Sequence, residues 1–231
     1  TWWFIALCVA GVGCGMYVLY RYRMNQILKL QQVRNKIASD LHDDVGSTLS
    51  SISMYSEIVS GQVKDTHPQS TLLLDKISSN SREMIENMSD IVWMIKPGND
   101  DFKNIENRML NFANELCVPA AINFDFTADA AITGIKLPMQ QRRDLYLIFK
   151  EAVNNAVKYS GCHSIHASIR QQNNSLEMRV SDDGNGFDSA AASQGNGLDN
   201  MQKRAAANNG QLTIRSSPGG GTEIVAVMPI I

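Results

Sequence analysis

Two stretches near the start of the chain repeat apolar side chains with the period of an amphipathic helix. Residues 25–60 carry one apolar stripe, formed by Ile27, Leu30, Ile37, Leu41, Val45, Ile52 and Val59. A second stripe, which ends near residue 96, steps by three and four in a pattern close to a heptad. Breakers in residues 61–68 separate the stretches, and Pro97 and Gly98 follow the second. The pattern predicts a helical hairpin over residues 24–98.

The hairpin stripes also predict an assembly. Two helices alone bury too little apolar surface to be stable, whereas two hairpins can cover both stripes in a four-helix bundle. We therefore expect a homodimer. The alternative is that the hairpin packs on the domain that follows it in the chain.

From residue 99 onward the pattern changes to alternating helices and strands. Helices are predicted over residues 102–117, 140–159 and 198–208. Strands are predicted over residues 121–126, 164–170, 176–181, 211–215 and 223–228. Mixed elements of this kind form an α/β sandwich, so residues 99–231 are expected to be a second domain.

Residues 2–20 contain no charged side chain. A helix of that length spans roughly 30 Å, the hydrocarbon thickness of a bilayer. Aromatic residues flank it, as in interfacial belts: Trp2, Trp3, Tyr17, Tyr20 and Tyr22. Basic residues begin at Arg21, so residues 1–23 are expected to be a transmembrane helix with its basic flank. This orientation predicts a single pass through the inner (cytoplasmic) membrane, with residues after Tyr20 in the cytoplasm.

The alternative for this apolar segment is a signal peptide, but its basic flank comes after the apolar run instead of before it. Because the chain begins with Thr1, we expect a piece of a longer protein with a further part across the membrane. The net charge of -2 gives no reason to expect direct nucleic-acid binding. The four cysteines do not resemble a disulfide framework.

Residues 40–46 place a histidine among carboxylates in a helical stretch. His42 follows the stripe residue Leu41 by about 100° around the helix, so it should be reachable from solvent. Imidazole with a pKa near 6.5 is mostly neutral, and nucleophilic, at pH 7. Asp43 can fix its tautomer and take its proton. The same residues, taken alone, also fit a surface histidine beside solvated aspartates.

Later segments have the composition of a nucleotide site. Glu151 and Asn155 share one face of the helix predicted over residues 140–159, and Lys158 and Tyr159 follow on its next turn. Asp182 occupies the next inward-facing position after the strand over residues 176–181, in line with Leu176, Met178 and Val180. We expect its carboxylate to point into the domain, where it needs a partner.

Glycines surround these polar residues. Gly184 and Gly186 permit close backbone approach, while Gly195, Gly197 and Leu198 open a helix whose free N–H groups can hold phosphate oxygens. Gly221 and Thr222 belong either to the same site or to an ordinary hairpin turn. The sequence has no Walker motif.

Residues 34–46 resemble the H-box of two-component sensor histidine kinases of the NarX/DesK type, and residues 151–159 resemble their N-box. The resemblance covers the chain from about residue 24 to its end. It implies that His42 is autophosphorylated from ATP with Asp43 as base. It also implies phosphoryl transfer to an aspartate of a response regulator, of the NarL type.

The resemblance also implies a dimeric bundle followed by an ATPase domain of the Bergerat/GHKL type. In such a domain Asn155 coordinates Mg²⁺, and Glu151 orients the metal's water or assists proton transfer. Lys158 neutralises phosphate charge, Tyr159 lies near the nucleotide, and Asp182 holds the adenine amino group. The glycine boxes supply the remaining ATP-binding residues, which are Gly184, Gly186, Gly195, Gly197, Leu198, Gly221 and Thr222.

Ser47 departs from the family pattern, because many relatives carry a glutamine there that positions water for dephosphorylating the partner. The shorter serine leaves phosphatase activity unpredicted. Two other functions stay open from the residues alone. One is a GHKL-type ATPase without histidine kinase activity, and the other is a signalling scaffold that binds nucleotide without chemistry.

Overall fold

The computed structural model describes residues 2–64, 66–96, 99, 101–129, 132, 134–188 and 196–230, with only the backbone of His42 and Asn196. The chain divides into two compact units, Thr1–Pro97 and Gly98–Ile231. Each unit is described here by itself.

The first unit is helical. Helix α1 (Trp2–Asp40) continues through a π-helical turn (Leu41–Val45) into α2 (Gly46–Val63), and α3 (Pro68–Ile95) returns beside α2. The turn predicted over residues 61–68 is confirmed but begins later, because α2 runs on to Val63 before α3 begins at Pro68. A Cβ at Gly61 would meet no atom within 4 Å, and an isolated glycine costs a helix only about 1 kcal/mol.

Small polar side chains line the contact between α2 and α3. The buried serines are Ser53, Ser56, Ser60, Ser78 and Ser81. The hydroxyls of Ser53 and Ser78 are 3.0 Å apart, and Ser78 donates to Glu57 at 2.8 Å. Apolar side chains of the same two helices are exposed in the single chain, among them Ile52, Ile58, Val59, Leu73, Ile77, Met84 and Ile91. The inner seam of the hairpin is therefore polar and its uncovered surface apolar.

The second unit is one mixed sheet with helices packed on it. Its helices are α4 (Phe102–Cys117), α5 (Met139–Asn155), which ends in a π-helical turn (Ala156–Ser160), and α6 (Asn196–Ala207). Its strands are β1 (Asn123–Ala128), β2 (Ser164–Gln172), β3 (Ser175–Asp182), β4 (Gln211–Ser216) and β5 (Thr222–Pro229). The sheet order is β1-β2-β3-β5-β4, and among these described strands β1 and β2 pair in parallel while the other neighbours pair antiparallel.

The helices cover the apolar side of this sheet. The core includes Phe102, Ile105, Met109, Leu145, Ile148, Phe149, Ile165, Ile169, Met178 and Met201. Strand β1 begins two residues later than predicted, because Ala121 has a φ of 54° and lies in a turn. The alternation of helices and strands predicted from the sequence is confirmed.

The helical stretch Trp2–Val63 contains a window long and apolar enough to cross a membrane, and no part of that window is buried inside the protein. It is a candidate membrane span by length and composition.

Candidate nucleotide site

A cavity of about 570 Å³ opens in the second unit, within the size range of small-molecule sites. Five segments form it: the end of α5, its π-helical turn, the segment after β3, the start of α6 and the start of β5. The lining residues are Glu151, Ala152, Asn155, Ala156, Tyr159, Ser160, Asp182, Gly186, Phe187, Gly197, Leu198, Thr222 and Ile224. The fold thus brings together residues that lie up to 73 positions apart in the sequence.

Glu151 and Asn155 lie on the cavity side of α5 because residues four apart share a helix face. The Asn155 side-chain nitrogen donates to Glu151 Oε1 at 3.3 Å. Ala152 is buried between them along the helix, with 3% of its surface exposed. This bond uses the amide nitrogen of Asn155, and its amide oxygen is the type of ligand that Mg²⁺ takes in proteins.

Ser160 ties the end of α5 to the segment that follows β3. Its hydroxyl donates to the Ala156 carbonyl at 2.7 Å, and its own carbonyl accepts the Asn185 N–H at 2.8 Å. Gly161 ends the π-helical turn with a φ of 62°. A Cβ on Gly184 would lie 2.5 Å from the Ser160 backbone and side chain. Gly184 is therefore needed where the β3 loop approaches Ser160.

The neighbouring carboxylates Asp182 and Asp183 have opposite surroundings. Burial raises the pKa of Asp182, while backbone N–H groups of Gly184 and Thr222 oppose the rise; Gly184 N–H donates to Asp182 Oδ1 at 2.9 Å. Asp183 accepts the N–H groups of His163 and Ser164 and the Ser164 hydroxyl, and these bonds lower its pKa to about 2. Asp183 therefore ties the end of β3, where Asp182 faces the cavity, to the start of β2.

Two other glycines approach protein backbone. Gly186 has a φ of 58°, and a Cβ there would lie 2.1 Å from the Ser217 carbonyl oxygen. Gly221 has a φ of 70°, and a Cβ there would lie 2.1 Å from the Asp182 carbonyl oxygen. The turn that joins β4 and β5 therefore rests on the Asp182 segment. Because Thr222 at its end lines the cavity, the hairpin turn also forms part of the site.

The other residues predicted for the site lie at the cavity, on the surface away from it, or outside the part of the chain that the structure describes. Tyr159 lines the cavity although 79% of its surface is exposed, whereas Lys158 is exposed and is not among the lining residues. Gly195 lies outside the described residues, as does the side chain of His42. Asp43 is exposed and accepts the Ser39 hydroxyl at 3.1 Å in the π-helical turn.

Ser47 turns back on its own helix, where its hydroxyl donates to the Asp44 carbonyl at 3.1 Å. Sequence reasoning missed the supporting roles of Ser160 and Asp183, and the place of Phe187 in the lining. Their positions next to predicted motifs were the only signal, because the bonds that define them join segments about 20 residues apart.

The donor set of the cavity suits a divalent cation. The Glu151 carboxylate and the Asn155 amide oxygen lie on neighbouring turns of α5 at the cavity wall, and none of the described lining residues is a lysine or arginine. A polyphosphate entering such a cavity needs a positive partner, because like charges repel at close range. Oxygen ligands together with phosphate are the usual environment of Mg²⁺. No cluster of three or more histidine, cysteine or acidic residues suited to a metal occurs among the described residues.

Comparisons with known proteins agree with this geometry. Residues 140–230 match the family described as "Histidine kinase-, DNA gyrase B-, and HSP90-like ATPase", and residues 33–100 match the family described as "Histidine kinase". The second unit is therefore an ATPase domain of the histidine kinase class, preceded by a histidine kinase hairpin. Together the matches take in more than half of the chain.

Similarity to individual proteins indicates which histidine kinases this chain resembles. The chain is 27% identical over 208 residues to sensor histidine kinase DesK of Bacillus subtilis, covering 90% of this chain and 53% of the relative. It is 24% identical over 221 residues to the nitrate/nitrite sensor protein NarX of Escherichia coli K12, covering 89% of this chain and 34% of the relative. The chain belongs to the NarX/DesK-like sensor histidine kinases. It spans between a third and about half of the length of these relatives.

A solved structure shows the same fold. The blue-light activated histidine kinase of Erythrobacter litoralis EL346 superposes with a TM-score of 0.56 at 14% identity, covering 81% of this chain and 60% of that chain.

Proposed function

We propose that this chain is the kinase part of a membrane-anchored, homodimeric sensor histidine kinase. It transfers the γ-phosphoryl group of ATP to His42, and a response-regulator aspartate then takes the group. The observation that carries this proposal is the cavity that joins Glu151 and Asn155 to Asp182 and Gly197, in a chain whose N-terminal unit matches the histidine kinase family over residues 33–100.

Each cavity residue has a role in this proposal. The Asp182 carboxylate accepts the adenine amino group, and the N–H groups at the start of α6 hold phosphate oxygens. Glu151 and Asn155 hold Mg²⁺ through oxygen atoms or its water, and Tyr159 lies beside the nucleotide. Bound Mg²⁺ neutralises phosphate charge. Lys158 on the exposed end of the helix lowers the remaining negative potential.

The remaining predicted ATP-binding residues act through the backbone. Gly184, Gly186 and Gly221 fix the loops around Asp182 and Thr222, and Gly195 belongs to the phosphate-binding segment before α6.

The reaction is an in-line phosphoryl transfer. The neutral imidazole of His42 attacks the γ-phosphorus, a nitrogen–phosphorus bond forms, and the bond to the ADP oxygen breaks. Asp43 accepts the proton that the imidazolium releases, a contribution on the order of 10²–10⁴-fold. The protein otherwise contributes positioning and charge stabilisation.

The proposed location and partners follow from the same assignment. Residues 2–20 anchor the protein in the inner membrane, and the residues after Tyr20 are cytoplasmic. The homodimer covers the apolar surface of the hairpin, and the response regulator is of the NarL type.

The test uses the whole chain in detergent with γ-labelled ATP and Mg²⁺. Wild-type protein should gain acid-labile, base-stable label, and His42→Ala should gain none. His67→Ala is the matched control, because His67 is an exposed histidine of the same unit and should label normally. ATP hydrolysis without labelled protein would favour a GHKL-type ATPase, and ATP binding without either reaction would favour a scaffold.

A further inference from the structure

Asp144 is a buried carboxylate outside the nucleotide cavity. It lies on α5 with 2% of its surface exposed. Its oxygens accept Gln140 Nε2 at 2.7 Å, Asn208 Nδ2 at 2.8 Å and Arg204 Nη1 at 3.3 Å. A buried carboxylate requires such partners. Two of them belong to α6 or directly follow it, so Asp144 links the two helices.

The spacing on α5 connects this cluster to the cavity. Glu151 and Asn155 follow Asp144 by 7 and 11 residues, and at 3.6 residues per turn all three lie within about 20° of one line along the helix. Glu151 and Asn155 line the cavity. Asp144 lies about 10 Å from Glu151 toward the N-terminus of α5.

Helix α6 has the matching pattern. Arg204 and Asn208 follow Gly197 by 7 and 11 residues, so they also share one face. Gly197 lies against Glu151, because a Cβ on Gly197 would be 2.1 Å from Glu151 Oε1. Asp144 lies seven residues before Glu151 on α5, and its partner Arg204 lies seven residues after Gly197 on α6. The two helices therefore run antiparallel at this contact.

We propose that Asp144 is a positioning residue that sets the register of α6 on α5, and that it thereby places the Gly197 end of α6 for binding the phosphates of ATP. This inference rests on the proposed nucleotide function of the cavity. Register here means the axial position of Gly197 relative to Glu151.

The other anchors of α6 include apolar contacts with the core. Met201 and Ala205 are buried in the core, but apolar contacts are non-directional and tolerate a small axial shift. Hydrogen bonds to Asp144 require defined distances and angles. They therefore restrict the axial position of α6 more sharply than apolar contacts do.

The Asp182 end of the cavity is held by contacts outside α6. Asp182 lies on β3 and is fixed by the Gly184 N–H. Loss of the Asp144 cluster should therefore weaken phosphate binding and leave adenine binding unchanged. A general loss of stability would weaken both.

The experiment uses the whole chain in detergent and measures how ATP with Mg²⁺, and separately adenosine, displace a fluorescent adenine nucleotide. Asp144→Asn and Arg204→Gln should raise the dissociation constant of ATP by up to about tenfold, because the binding-competent register loses the free energy of one charged hydrogen bond. The constant for adenosine should stay within about twofold of wild type.

Lys203→Gln is the matched control. It removes one positive charge from the next position of the same helix, where exposed Lys203 pairs with Asp199, and both constants should equal those of the wild type. If Asp144→Asn fails to fold, Arg204→Gln decides, because the Arg204 side chain is 32% exposed.

Equal weakening of ATP and adenosine, or an unchanged constant for ATP, would overturn the positioning role while the proposed kinase function stands. A wild-type protein that binds no ATP would instead overturn the proposed function and this inference with it.

Discussion

Asp182 and Asp183 show how local surroundings separate two adjacent carboxylates. Asp182 faces the cavity, where burial raises its pKa. Asp183 is exposed and receives three hydrogen bonds, which lower its pKa to about 2. Ionised Asp182 therefore lowers the stability of the fold, whereas Asp183 stabilises the end of β3 on which Asp182 lies.

Asp182→Asn should raise the unfolding temperature of the second unit at pH 7 and weaken ATP binding. A carboxyl whose folded pKa is raised favours folding below its unfolded pKa, and this contribution is lost as pH rises through the folded pKa. At pH 7 the ionised form therefore destabilises the fold, and asparagine removes that penalty. Thermal unfolding and ATP titration of the same samples check both effects; a lower unfolding temperature would contradict the assignment.

Asp183→Ala should destabilise the second unit at pH 7, with a difference from wild type that shrinks in acid. The folded pKa is lowered, so the stabilisation is complete above about pH 4 and is lost as pH falls toward the folded pKa of about 2. Urea unfolding at several pH values between 7 and 3 measures this. Asp199→Ala, which removes a half-buried carboxylate of α6 that pairs with the exposed Lys203, should change stability much less.

At the scale of elements, one π-helical turn interrupts a helix and another ends one, both at positions of proposed chemistry. One spans Leu41–Val45 and contains His42, and the other spans Ala156–Ser160 directly after Asn155. Such turns occur often at functional sites. The apolar and polar periodicity of the sequence predicted continuous helices at both places, because one wider turn hardly changes the pattern.

Gly161→Ala should destabilise the second unit by about 1–2 kcal/mol, the cost of a left-handed backbone for an L-residue. Gly161 has a φ of 62° at the end of the second π-helical turn. Gly61→Ala is the matched substitution in α2, where glycine has no such role, and should stabilise the first unit by up to about 1 kcal/mol. Calorimetry that resolves the two unfolding transitions measures both. A neutral effect at Gly161 would show that the turn relaxes without strain.

The hairpin illustrates why an element can need a partner. Its inner seam is lined by serines that form hydrogen bonds to each other (Ser53 with Ser78) or to acidic side chains (Ser60 to Asp75), each with a net contribution of only about 1 kcal/mol. The apolar side chains that provide more stabilisation per residue are exposed in the single chain. The proposed dimer would bury them.

At the scale of the whole molecule, Ile77→Asp should dissociate the proposed dimer. Ile77 is 45% exposed in the single chain, and a carboxylate in an apolar interface carries a large desolvation cost. Ser79→Asp is the control, because it introduces the same charge about 200° away around α3. Light scattering in detergent measures the molecular mass. If Ile77→Asp and Ser79→Asp both show the molecular mass of the wild-type protein, a dimer formed through this face is contradicted.

The sequence predicted the elements well where the evidence was local. Strands β2 to β5 and helix α4 began and ended within about two residues of the predicted bounds, because period-two and period-3.6 patterns reflect which face is buried. Departures occurred where no such pattern exists. The helix passed Gly61, and β1 was displaced by the turn at Ala121.

For the candidate site, the sequence identified most of the cavity residues, since the types and spacings of Glu151, Asn155 and Asp182 already indicated nucleotide chemistry. It also determined the class of the protein, through the segment around His42 and the downstream glycines. Only the tertiary structure decided what these glycines approach, which carboxylate anchors Asp182, and how α6 is held on α5. These features depend on distances between segments far apart in the chain, which no local pattern encodes.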